Sequence, residues 1–203
     1  MKRSVKIIGI GSYLPKRIVK AEEIDKMFSQ SIGWSEKKSG VKQRYYVNGE
    51  TASFMGAEAA LQAVQDAGIS LNDIDCIISG SGTMEQAIPC TASLIQEQLG
   101  LHHSGIPSFD VNSTCLSFVS ALDMISYAIE YGRYKNVLLV SSEISSVGLN
   151  WDQPESSILF SDGAVAIVLS KSHDHSGILS SHMETHSLGA HLSEIRGGGT
   201  KIH

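Results

Sequence analysis

The residue best placed for covalent chemistry is Cys115. It lies in the run Phe109-Asp-Val-Asn-Ser-Thr-Cys115-Leu-Ser-Phe118, where an apolar strand over 107–111 gives way to a small-residue helix over about 115–131, stopped by Gly132. At the start of a helix the backbone N–H groups lack intrahelical partners and the dipole favours negative charge. A thiolate is the nucleophile that takes an acyl group from a thioester, and the same N–H groups can stabilise an oxyanion. The other reading is a small buried hydrophobe, as free cysteines often are. Cys76 and Cys90 fall in or beside apolar segments and read as buried and inert. Three cysteines at unpatterned spacing argue against a disulfide framework.

Other groups are weaker candidates. No Cys-x-x-Cys or His-Glu-x-x-His spacing points to a metal, and no metal site is expected. His173 and His175 read as a solvated turn rather than a ligand pair. Asp162 reads as a turn cap ahead of an apolar strand. No Gly-x-Ser-x-Gly elbow is present, which disfavours a general α/β hydrolase.

These residues need a scaffold. Apolar runs at 5–10, 75–79, 107–111, 136–142 and 163–170 predict strands buried on both faces, and 177–182 predicts one more. Helical spacing predicts helices over 21–28, 51–67, 91–99 and 115–131, with Gly68 and Gly100 closing two of them. The alternation implies one α/β domain with a mostly parallel central sheet flanked by helices. Residues 1–187 read as that domain and 188–203 as a loop region; the Arg196-Gly-Gly-Gly-Thr200 tail makes the chain look cut rather than finished.

Composition narrows the function. With 42% hydrophobic and 18% charged residues the chain is globular, and a net charge of −5 gives no basic field for nucleic acid. The one cationic cluster is Lys37, Lys38, Lys42 and Arg44. No apolar run is long enough to span a membrane, and the start reads as a strand rather than a signal peptide, so a cytoplasmic location is expected.

Four blocks carry a family resemblance. Val5-Lys-Ile-Ile-Gly-Ile-Gly-Ser-Tyr-Leu-Pro15 resembles the opening of the ketoacyl-acyl-carrier-protein synthase III family. Trp34-Ser-Glu-Lys-Lys-Ser-Gly-Val-Lys-Gln-Arg44 is similar to its Trp-x-x-x-Arg-x-Gly-Ile-x-x-Arg segment. Asp110 to Phe118 resembles its nucleophile motif, Asp-Val-x-x-x-Cys-x-Gly-Phe, and Phe160-Ser-Asp-Gly-Ala164 its Phe-Gly-Asp-Gly-Ala turn. The blocks keep the family's order and span nearly the whole chain.

The resemblance implies the N-terminal half of a thiolase-like fold. It implies acyl transfer from coenzyme A to Cys115, then decarboxylative Claisen condensation with malonyl-acyl-carrier protein, as in fatty acid or related secondary-metabolite biosynthesis. Coenzyme A thioesters and the carrier's phosphopantetheine are then substrates, no cofactor is held tightly, and the assembly is a homodimer. Trp34 and Lys38 would line the coenzyme entrance, and Ile88 the acyl pocket across the dimer interface. The family's His and Asn, which polarise the malonyl carbonyl, match no element here. Ser117 stands at the family's Gly, Lys38 at its Arg, and Pro154 near another Arg. Lys38 keeps charge but loses the planar guanidinium that stacks on adenine, so a carrier-bound donor stays open. Two other readings also stay open. One is a non-decarboxylating condensing enzyme or acyl transferase using Cys115, in which Glu85 is either a base or a solvated loop carboxylate. The other is a non-catalytic thiolase-fold partner subunit.

Overall fold

The computed structural model describes residues 2–195, 197, 198, 200 and 201. In chain order the elements are β1 (Val5–Tyr13), β2 (Arg17–Lys20), α1 (Ala21–Met27), α2 (Trp34–Ser39), β3 (Gln43–Tyr46), α3 (Ala52–Asp66), β4 (Cys76–Ser79), α4 (Thr91–Gln98), β5 (Ser108–Asp110), α5 (Ser117–Glu130), β6 (Asn136–Glu143), α6 (Pro154–Ser157) and β7 (Gly163–Lys171).

The main sheet has five strands in the order β1-β7-β6-β4-β5. β4 pairs parallel with both β5 and β6, while β7 runs antiparallel between β6 and β1. Four of the five strands therefore point one way, as the strand–helix alternation predicts, and β7 alone is reversed. A separate two-stranded sheet, β2 against β3, was not legible in the sequence.

Alternation along the strands divides the core in two. Leu138 and Val140 of β6 face α3 and α4, with Met55, Ala59, Ala60, Ala63 and Ile95. Val137 and Leu139 face α5, with Ala121, Ile125 and Ile129. That two-residue period is the pleat of a strand buried on both sides. α3 lies unusually close to β1, because a Cβ on Gly9 or Gly11 would sit 2.1 Å from the carbonyl oxygen of Ala63 or Ala59. Two main-chain donors of β1 are also capped from α3: the Ile10 N–H donates to Asp66 (2.9 Å) and the Ser12 N–H to Gln62 (3.4 Å). Such capping blunts an edge that would otherwise pair with other chains.

On the opposite face of β1 and β7, Ile7, Ile10 and Val165 are exposed beyond the reach of α5, as are Leu116, Val119 and Met124 of the α5 segment. Met124 lies toward the β5 edge, beside Phe109 and Val111, so these side chains do not all share one end of the sheet.

Two expectations fail. Residues 177–182 do not form a strand; Ile178 makes a single antiparallel bridge with Arg3. Arg3 and Ile178 exchange both backbone hydrogen bonds there, each at 3.0 Å, while the Ser4 N–H, which points away from Ile178, donates to Glu130. The Arg3 side chain ties this segment to α5, donating to Ser181 (3.2 Å) and to Tyr127 (2.6 Å) and Asp123 (2.6 Å) of the helix. α5 also begins two residues later than predicted, at Ser117. No helix among the described residues is long and apolar enough to cross a membrane.

Candidate active site

β5 delivers the chain to a turn, and the turn delivers Cys115 to solvent. Asp110 closes β5, and its carboxylate accepts the Thr91 and Ala92 N–H groups at the N-terminus of α4, each at 2.8 Å. Asn112 then makes an Asx-type turn, its Oδ1 accepting the Thr114 N–H at 2.9 Å. Thr114 has φ 53°, in the left-handed region. For a β-branched residue that conformation persists only where the surroundings hold it. Cys115 follows, exposed, ahead of the fourteen-residue α5. The sequence places it at the first helical residue; the structure places it in the preceding turn, which is why its side chain is not covered by the helix.

The loop after β4 backs this turn. The Asn112 Nδ2 donates to the Gly82 carbonyl at 3.2 Å. A Cβ on Gly82 would come within 3.3 Å of the Thr114 oxygen, and one on Gly80 within 3.0 Å of the Phe118 Cα. Glu143, at the end of β6, accepts from the Gly82 N–H, from the Thr83 N–H at 3.2 Å and from the Thr83 hydroxyl at 2.6 Å. Sequence reasoning missed Asn112, Gly82 and Glu143. The only signal for them was the Gly-Ser-Gly run after a strand.

The other thiols differ in setting. Burial pushes the Cys76 thiol up to about 11, and Cys76 has no solvent exposure. Cys90 is half-buried beside Ser93, at 3.1 Å.

Trp34 and Lys38 lie one turn apart on α2, hence on one face of it. Trp34 packs on a third apolar cluster with Phe28 and Trp151, its ring 6.4 Å from that of Phe28. Lys38 is exposed. Ile88 is 85% exposed on the loop after β4. Among the described residues no hydrogen bond joins Trp34, Lys38 or Ile88 to residues 112–117. A cleft of about 310 Å³ beside α5, lined by Phe109, Val111, Ala121 and Met124 among others, contains none of the four residues chosen from sequence.

Two carboxylates are placed differently from expectation. Glu85 is not a solvated loop carboxylate: it accepts the Ser53 N–H at 2.6 Å, in the first turn of α3. Asp162 does not cap its own turn. It is buried, accepting the Val47 N–H (2.9 Å), the Ser146 N–H (2.8 Å) and the Ser146 hydroxyl (2.6 Å), because two distant loops bring unpaired donors to it. Nearby, the buried Arg44 donates to the Ile158 carbonyl from Nε (2.9 Å) and Nη2. The Trp34–Arg44 block is thereby tied to the segment that Pro154 begins. His173 and His175 are exposed on a turn built around Asp174, whose carboxyl the Ser176, Ser172 and Lys6 donors hold well below the usual range.

The order of strands, the paired core and the exposed thiol at a strand-to-helix turn define an α/β protein of thiolase-like fold. Residues 109–187 match the sequence profile of the family described as 3-oxoacyl-[acyl-carrier-protein (ACP)] synthase III. The chain is 39% identical over 180 residues to the beta-ketoacyl-[acyl-carrier-protein] synthase III of Rickettsia massiliae, covering 88% of this chain and 56% of that protein. It is 40% identical over 187 residues to that of Ehrlichia canis, covering 91% and 58%. The crystal structure of the Aquifex aeolicus 3-oxoacyl-[acyl-carrier-protein] synthase III superposes with a TM-score of 0.79 at 35% identity, over 84% of this chain and 55% of that one. The chain is thus a 3-oxoacyl-[acyl-carrier-protein] synthase III-like protein, corresponding to the N-terminal half of the type. It spans a little over half the length of these curated relatives.

Proposed function

We propose that the protein is an acyltransferase of the 3-oxoacyl-[acyl-carrier-protein] synthase III type, with Cys115 as the acyl acceptor. The observation that carries this is an exposed thiol on a braced turn, within a nucleophile-like motif, in a chain close to synthases of that name. In this reading the Cys115 sulfur attacks the thioester carbonyl. The acyl carbon–sulfur bond of the donor breaks, its thiolate leaves with the proton, and acyl-Cys115 remains. Malonyl-carrier then loses carbon dioxide, its carbanion attacks the acyl carbonyl, and the Cys115 thiolate is released. Donors for the malonyl carbonyl match no element of this sequence, and none is assigned.

Acyl-coenzyme A and the carrier's phosphopantetheine are the proposed substrates, with Trp34 and Lys38 at the coenzyme entrance. We further propose a cytoplasmic homodimer in which the loop bearing Ile88 reaches the partner's acyl pocket. The exposure of Ile88 supports that placement over a core role. The non-decarboxylating alternative would use Glu85 as its base, and carbon dioxide release from malonyl thioester separates the two readings.

The test is intact-mass analysis of the full-length protein after incubation with acyl-coenzyme A or acyl-carrier protein. A single adduct at Cys115, lost in Cys115→Ser, is expected, followed by carbon dioxide release from malonyl-carrier. Equal labelling of Cys90, or condensation that survives Cys115→Ser, overturns the assignment.

A further inference from the structure

Ser117 is the one departure from the nucleophile motif that lies inside the turn it would shape. It is the first residue of α5 and is only 1% exposed. Its Oγ accepts the Ser113 N–H at 2.9 Å and donates to the Thr114 carbonyl at 2.6 Å. Its own N–H donates to the same carbonyl at 3.1 Å. Hydroxyls at helical positions commonly bond three or four residues back, and there they merely relieve the helix. Here the residues three and four back are not helical. They are the two residues that carry the chain into Cys115, one of them in the left-handed conformation. The hydroxyl therefore closes a small ring of hydrogen bonds around the cysteine, from inside the protein. Asn112 holds the same turn from the other side, through the Thr114 N–H and the Gly82 carbonyl.

We infer that Ser117 is a positioning residue for Cys115: its buried hydroxyl fixes the turn and so the direction of the thiol. The inference rests on the reading of Cys115 as acyl acceptor. Glycine at this position has no hydroxyl to make the ring, so the device belongs to this chain rather than to the motif. Without it the Ser113 N–H loses its acceptor and the turn gains alternative conformations. A reacting atom displaced by an ångström can cost up to about a hundredfold in rate. A small electrophile that approaches from any side feels no such loss.

The experiment compares wild type, Ser117→Ala and Ser117→Gly in the full-length protein. Two rates are read: single-turnover acylation of Cys115 by saturating acyl-coenzyme A, and alkylation of the same thiol by iodoacetamide. The expected result is an acylation rate constant reduced by about tenfold or more in both variants, with the half-saturating acyl-coenzyme A concentration and the alkylation rate within about twofold of wild type. Acylation at the wild-type rate in either variant overturns the inference. So does a parallel fall of both rates with early melting, or failure of both variants to fold, since Ser117 would then be structural only. If wild-type Cys115 takes no acyl group, the nucleophile reading itself fails. That outcome is separate, because it is read without any Ser117 variant.

Discussion

Gly11→Ala tests the close contact on which the whole sheet-to-helix layer depends. A Cβ there would lie 2.1 Å from the Ala59 oxygen, 2.5 Å from the Ala63 nitrogen and 2.7 Å from the Gln62 Cβ. Two of these three are helix backbone, so no rotamer change relieves them. Restoring ordinary contact requires α3 and β1 to separate by roughly 1 Å. α3 cannot move freely, since Ala59, Ala60 and Ala63 are completely buried against β6 and β7 neighbours. Overpacking of this kind costs ~1–3 kcal/mol, and the upper end applies where backbone is hit. At ~2–4 °C per kcal/mol for a chain of this size, the melting temperature should fall by ~6–12 °C. The control is Gly148→Ala, where an added Cβ meets no atom within 4 Å and the backbone is not left-handed; it should melt within ~2 °C of wild type. Thermal denaturation followed by circular dichroism reads both. A Gly11→Ala protein melting within ~2 °C of wild type would refute the packing argument. The displacement should also reach the turn at Cys115, because the Ser142 hydroxyl donates to the Ala52 carbonyl of α3 at 2.7 Å, next to Glu143.

Three further outcomes are expected. Trp34→Ala removes an aromatic from the Phe28 and Trp151 cluster, so some loss of melting temperature is certain; a coenzyme-entrance role adds a rise in KM for acyl-coenzyme A with kcat little changed, and an unchanged KM would assign Trp34 to packing alone. Ile88→Phe should shift kcat/KM toward short acyl donors by ~1–3 kcal/mol per excluded methylene, and an unaltered chain-length profile would remove Ile88 from the pocket. Cys76 should resist Ellman's reagent in the native protein at pH 8 while Cys115 reacts at once. Because burial raises the Cys76 thiol from 9.0 to about 11, the unfolded chain sheds that proton first. Its contribution to stability is then full below pH 9 and lost as pH rises toward 11, a decline that Cys76→Ala should flatten.

What the sequence revealed follows a physical division. β4, β6 and the middle of β7 were legible because burial on both faces leaves unbroken apolar runs, and β1 and β5 because apolar residues sit beside strand-ending Gly and Asp although each exposes part of one face. The reversal of β7 was not, since an apolar run carries no direction. β2 and β3 are four residues each and half polar, and among the described residues they pair only with each other, across α1 and α2. Residues 177–182 have strand-like composition but no available partner beyond Arg3. At the site, Cys115 was legible through a local motif. Its supports were not, because Glu143 is 61 residues from Gly82, and no local pattern encodes that pairing. Asp162 failed for the same reason: a turn cap was the local expectation, while its donors stand 115 and 16 residues away.

The parallel block explains why these supports converge at one end of the sheet. β5, β4 and β6 are adjacent and share a direction, so the loops leaving their carboxyl ends emerge side by side. Open α/β sheets build sites at that edge for this reason. From β5 comes the Cys115 turn, from β4 the Gly80–Thr83 loop, and from β6 Glu143. The chain of hydrogen bonds runs Glu143, Gly82, Asn112, Thr114, with one partner each from β6 and the β4 loop and two from the turn after β5. At the opposite end β4 and β6 are joined by Asp75, which accepts the Lys135 and Asn136 N–H groups at 2.7 and 2.9 Å. The sheet therefore separates anchoring from chemistry. A substitution at Asp75 should loosen the fold without singling out Cys115. One at Glu143 acts on the turn directly, because nothing but Gly82 and Asn112 stands between that carboxylate and the residue before the thiol.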